Sequence, residues 1–127
     1  MNKREISLTG QLPDLNTEIN EMKKHWANYA SSKKKFTNKV ALLVKSQRVE
    51  PIEGRLRVKL CWFAPNRKKD PDNIAFGVKY VLDGLVQAGV LQNDGWSQIG
   101  AIHHSFEFSP SIPWGVAVQL EKMDDDE

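Results

Sequence analysis

The chain has a single cysteine, Cys61, among its 127 residues. It can form no internal disulfide, and no cysteine-rich zinc centre is spaced along it. Within Leu60-Cys61-Trp62-Phe63 the thiol reads as a small buried group in a reducing compartment. Long apolar runs are missing as well. None approaches the ~20 residues that span a bilayer, so no membrane partner is expected. Met1-Asn2-Lys3-Arg4-Glu5 leads into no apolar stretch of the kind that directs secretion, which makes the cytoplasm the expected location. There are no internal repeats. The length suits one domain, 1–122, followed by an acidic tail, 123–127, expected to be disordered.

Positive charge nearly vanishes after Lys69. Residues 1–69 hold 16 Lys/Arg against 6 Asp/Glu, whereas residues 70–127 hold 2 against 10. An overall charge of +2 therefore conceals +10 followed by −8. A basic half suits a polyanion; an acidic half suits a divalent cation that itself bridges to a polyanion. Mutual neutralisation of the two halves within a dimer is the plainer alternative.

Alternation predicts strands over Glu5–Gly10, Arg55–Phe63, Gln98–Phe108 and from Trp114 to Leu120, the last antiparallel to the one before it. In the second, Leu56, Val58, Leu60 and Trp62 face a core. In the third, Ile102, His104, Phe106 and Phe108 do so, with His104 a satisfied core histidine and His103 on the other face. From Leu15 to Leu43 the steps between apolar residues predict one long amphipathic helix. Its N-cap falls at Asn16 or Thr17, and Ser31-Ser32-Lys33 is the place for a break. Trp26 lies on its apolar stripe. Lys33, Lys34, Lys35 and Lys39 make a basic patch able to contact phosphates, although solvation alone explains some of them. The fold expected is α/β, a mixed sheet of about four strands carrying two helices.

Chemistry concentrates between Asp70 and Asp94, which span four aspartates and one lysine. Asp70-Pro71-Asp72-Asn73 reads as a turn opening a second helix, because Pro71 lacks an N–H and pushes Asp70 towards extended geometry. Asp72 or Asn73 would cap it, and Gly89 would close it. On a continuous helix Asp72, Lys79 and Asp83 share one face within roughly 20°, but Asp83 lies about 16 Å along the axis, too far to share an ion with Asp72. Mg²⁺ takes few carboxylates plus water and substrate phosphate. Asp70, Asp72 and Asp94 from two turns would suit it, with Lys79 steadying phosphate charge. Turn-building and capping are the competing roles for these aspartates. Arg67, Lys68 and Lys69 stand beside them, where a DNA backbone would pass.

Arg67-Lys68-Lys69-Asp70-Pro71-Asp72-Asn73, then Lys79 with Asp83-Gly84-Leu85, then Gly89-Val90-Leu91 and Asn93-Asp94, resembles the RusA family of Holliday-junction resolvases, often carried by prophages. The likeness covers roughly residues 67 to 98. It implies a homodimeric endodeoxyribonuclease, in a bacterial host cell or encoded by phage. Such an enzyme resolves four-way DNA by paired nicks with 5′-phosphate ends, using Mg²⁺, for which Mn²⁺ can substitute. It also implies that Asp70, Asp72 and Asp94 are catalytic metal ligands and Lys79 the catalytic lysine. In the family pattern the lysine follows the second aspartate by one helical turn. Here Phe76 holds that place and Lys79 comes seven residues after Asp72. A nuclease for flaps or forks and a non-catalytic DNA-binding protein are the alternatives. Phe76, Tyr80 and Trp96 are candidates for a dimer contact.

Overall fold

A computed structural model describes residues 2–124; Met1 and the acidic residues 125–127 lie outside the described residues. Met123, assigned above to the tail, donates its backbone N–H to Arg55 O at 2.9 Å. Strands β1 (Lys3–Thr9), β2 (Leu56–Ala64), β3 (Ile99–Phe108) and β4 (Gly115–Lys122) form one mixed sheet in the order β1-β4-β2-β3. The expected α/β class and mixed four-stranded sheet are therefore present. The last strand differs in placement. It runs opposite to β3 in direction, yet it inserts between β1 and β2, antiparallel to both, and leaves β3 parallel to β2 at the edge. Val116, Val118 and Leu120 account for this, since all three are buried and a central position covers them from both sides.

The core lies on one face of the sheet. Leu56, Val58, Leu60 and Trp62 of β2 and Ile6 and Leu8 of β1 are buried there, as the alternation predicts. Each of the two expected helices is broken. The first divides into α1 (Leu15–Lys24) and α2 (Trp26–Ser46). The break falls at His25 rather than at Ser31–Lys33. His25 is in extended geometry, and its Nδ1 accepts from Ala27 N, starting a new helix. The N-cap of α1 is Asp14, not Asn16 or Thr17; its carboxylate accepts from Thr17 N at 2.8 Å. With the helix bent, Trp26 leaves the core: it is 67% exposed and packs on Tyr29, ring centroids 5.2 Å apart.

The second helix divides into α3 (Pro71–Ala75) and α4 (Val78–Gln87), with Gly77 between them. A Cβ on Gly77 would stand 2.9 Å from the Trp62 ring, so the break rests on the core. Gly89, at φ +82, closes α4 as expected: Gly89 N donates to Val86 O and Val90 N to Leu85 O, both at 3.0 Å. The apolar row of β3 is not core. Ile102, Phe106 and Phe108 are 41%, 40% and 42% exposed, because the layer of helices stops short of the edge strand. His104 is exposed too, though its Nδ1 is satisfied by the Trp62 indole N–H at 2.9 Å.

Candidate active site

β2 delivers the chain to Asp70. Along the way its three basic residues take three different settings. The Arg67 guanidinium lies 4.6 Å from the centre of the Phe108 ring. Lys68 is exposed, its backbone N–H held by Asn66 Oδ1 at 3.0 Å. Lys69 donates to the buried Asp14 carboxylate. Burial would raise the Asp14 carboxyl; the hydrogen bonds from Lys69 and Thr17 outweigh that and leave it below the usual carboxylate range. The basic run is thus anchored to α1 at its last residue and exposed in its middle.

Asp70, rather than Asp72 or Asn73, precedes the first helical residue. Its φ of −71 and ψ of 148 are the extended geometry that Pro71 requires, and its side chain makes no capping hydrogen bond. Asn73 N and Ile74 N are met instead by the Asp70 carbonyl. Asp72 Oδ1 accepts from the neighbouring Asn73 N, at 3.0 Å. Both carboxylates are exposed at the end of a buried strand. The capping role that competes with a chemical one is therefore not what the Asp70 side chain performs.

Lys79, exposed in the first turn of α4, and Asp83 one turn on form a second centre with Asp94 and Lys33. Lys33 Nζ lies 4.0 Å from Asp83 Oδ2. Burial raises the Asp83 carboxyl above its usual range; Lys79 and Lys33 pull it down, and the charge and hydrogen bond of Asp94 push it up again. Two details hold this centre. A Cβ on Gly84 would fall 2.3 Å from Val40 Cγ1, so α2 and α4 are in close contact beside Asp83. Buried Gln98 donates to Ile52 O and accepts from Asn93 N, both at 3.0 Å, while Asn93 Oδ1 accepts from Gly95 N. The Asp94 turn is thereby pinned on both flanks. Lys34, Lys35 and Lys39 are exposed along α2.

The expected trio does not converge in one chain. Among the described residues no three His, Cys, Asp or Glu side chains stand close enough to hold an ion. Topology gives the reason. β2 and β3 are parallel, so the Asp70 turn leaves one end of the pair and the Asp94 turn enters at the other. A nine-residue strand spans about 27 Å. Asp94 meets Asp83 instead, and Asp70 and Asp72 stand apart. Asp14 and Gln98 escaped the sequence reading; a buried-side partner for the last lysine of the basic run and the Gln following the Asn-Asp-Gly turn were the available signals. Of the aromatic candidates, Tyr80 is fully buried, Phe76 packs on the core and Trp96 is 95% exposed.

Among the described residues no helix is long and apolar enough to cross a membrane. None of the curated proteins compared with the chain matches it. The family model described as endodeoxyribonuclease RusA matches residues 12–121, which include both aspartate turns and the helix between them. By that match the chain belongs to the RusA family of endodeoxyribonucleases.

Proposed function

We propose that the protein is a structure-selective endodeoxyribonuclease that resolves four-way DNA junctions by paired symmetric nicks in recombination and repair. It acts as a homodimer of one nuclease domain, residues 1–122, and needs Mg²⁺, with Mn²⁺ as a substitute. Asp70, Asp72 and Asp94 are the metal-binding carboxylates in this reading, and the ion supplies activation of water and charge stabilisation at phosphorus. One chain by itself does not close that set among the described residues. The chain's own residues have clearer parts. Asp70 and Asp72 present two carboxylates to solvent. Lys79 balances Asp83 and offers a cation near the cut phosphate. Lys34, Lys35, Lys39, Lys68 and Arg67 engage backbone phosphates, with Lys33 and Lys69 tied to Asp83 and Asp14. The products carry 5′-phosphate ends.

The observation that supports this reading most is the Asp70–Asp72 turn, whose carboxylates are exposed and not spent on capping the helix they precede. One observation favours a second reading, a DNA-binding protein without catalysis: the carboxylates are divided between two places in the chain. A labelled synthetic four-way junction separates them. Symmetric nicks that require Mg²⁺, stop with EDTA and are lost in Asp72→Asn are expected. Tight junction binding with no cutting in Mg²⁺ or Mn²⁺ would establish the binding protein instead, and preferential cutting of flaps or forks in competition would redefine the substrate.

A further inference from the structure

Every residue from Met22 to Asn28 is exposed, so the elbow between α1 and α2 stands clear of the rest of the domain. Two carboxylates set α1 in this attitude. Glu18 is its one buried residue and accepts from Ser32 Oγ at 3.2 Å, while Asp14 at the N-cap holds Lys69. With polar groups taking the inner side, the apolar row is left partly outside, at Leu15, Met22 and above all Trp26 at the tip. The indole leans on Tyr29 at an interplanar angle of 45°, which steadies the ring and leaves it open to solvent.

The charge around the tip has one sign. No Asp or Glu occurs between Glu21 and Glu50, and Lys23 and Lys24 are exposed just before the ring. An exposed indole among lysines suits a ligand with a flat face and an anionic backbone, which is a nucleotide. Direction adds to this. Trp26 comes seven residues before Lys33, and that spacing returns a helical position to within roughly 20° of the same face. Lys33 Nζ lies 4.0 Å from Asp83 Oδ2, in the centre that Asp94 and Lys79 share. The indole is therefore on the side of α2 that carries this centre, about 10 Å further along the helix, or roughly three base steps of one strand.

We propose that Trp26 is a base-stacking residue that takes the open face of a nucleobase where DNA strands part, with Lys23 and Lys24 on the neighbouring phosphates. A base inside a duplex has both faces covered and must be unstacked before an indole can reach it. At a branch point the stack is already interrupted, so the same contact costs less. The elbow thus favours branched over linear DNA without reading a sequence, because every base has a face to stack. This rests on the DNA-cleaving reading above and names the part of the chain that tells a branch from a plain duplex.

The test is binding without divalent cations, so that nothing is cut. Trp26→Ala should bind a synthetic four-way junction about tenfold more weakly than wild type, and a linear duplex of one arm equally well. Trp26→Phe should recover most of the loss. The fall of log K with log salt should keep its slope in Trp26→Ala, whereas Lys23→Gln should flatten it by about 0.9. 2-Aminopurine at the branch point should change its fluorescence with wild type and not with Trp26→Ala. Equal losses on junction and duplex, or a loss that tracks a lowered urea midpoint, would overturn the proposal. So would a changed molar mass of Trp26→Ala in light scattering, which would make the tip a contact between copies of the chain. A wild type that binds neither DNA overturns the nuclease reading as well; tight junction binding untouched by Trp26→Ala overturns the stacking role alone.

Discussion

Lys69 donates a hydrogen bond to Asp14 across 55 residues of sequence, tying the approach to Asp70 to the N-cap of α1. Asp14 is buried, so its loss removes a cap and leaves the ammonium without its partner. Asp14→Ala is expected to cost about 3 kcal/mol in urea unfolding. The carboxyl is held below its ordinary value of 3.8 in the folded protein. Its stabilising effect is therefore whole above that value and is lost as pH falls through the lower, folded one. Asp14→Ala should lack this acid limb. A variant within about 0.5 kcal/mol of wild type would show that the pair contributes nothing.

Gly84 gives α4 its closeness to α2. A methyl group there would meet Val40 at 2.3 and 2.7 Å, so Gly84→Ala should destabilise by about 1–3 kcal/mol despite its better helix propensity. Val40→Ala in the same chain removes the Cγ1 contact but keeps Cβ at 2.7 Å, so the double variant should lose less than the two single variants together, a non-additivity measurable by denaturation. Additive losses would mean that the two helices do not meet at this point.

The strands were legible because alternation of buried and exposed residues is a local signal, and β2 shows it without a fault from Leu56 to Ala64. Their order was not. The pattern Ile102-His103-His104-Ser105-Phe106 is the same for a central strand and for an edge, and only long-range pairing places β4 between β1 and β2 and leaves β3 at the edge. The helix break at His25 was hidden for a similar reason, since apolar spacing continues through it while the backbone does not. At the site, Asp-Pro-Asp-Asn announced its turn through the constraints of proline. The meeting of Asp83 with Asp94 depends on how the chain returns after Gly89, and no spacing rule carries that. The three-residue difference in the position of Lys79 coincides with the interruption at Gly77, which ends the single helical face expected for Asp72, Lys79 and Asp83.

Asp83 should make stability depend on pH in the opposite sense to Asp14. Burial raises its folded value above 3.8, so the native state holds a proton that the unfolded chain has released. Its contribution is greatest at low pH and declines as pH rises through the raised value. Asp83→Asn, which stays neutral throughout, should gain on wild type as the pH is raised from that window to neutrality. Urea midpoints for the two proteins in a pH series that starts at the ordinary value of 3.8 and ends at neutrality measure the difference. A gap that does not widen with pH would mean that Asp83 is not desolvated beside Asp94.

The lysines of α2 should contribute unequally to DNA affinity. Lys34 and Lys35 are exposed and make no ion pair among the described residues, so each has its charge available for a phosphate. Lys33 lies against Asp83, and Lys39 arches over Gly10. Each phosphate contact steepens the fall of log K with log salt by about 0.9 for duplex DNA. Lys34→Gln and Lys35→Gln should therefore each flatten the slope by about that amount, measured on a junction or on one of its arms. Lys33→Gln should flatten it less, because part of its field is already spent on Asp83; removing that cation should also raise the Asp83 carboxyl further. Equal slope changes at positions 33, 34 and 35 would show that DNA draws Lys33 away from Asp83. An unchanged slope with all four lysines replaced would move the phosphate-binding face elsewhere, leaving Arg67 and Lys68 to carry it.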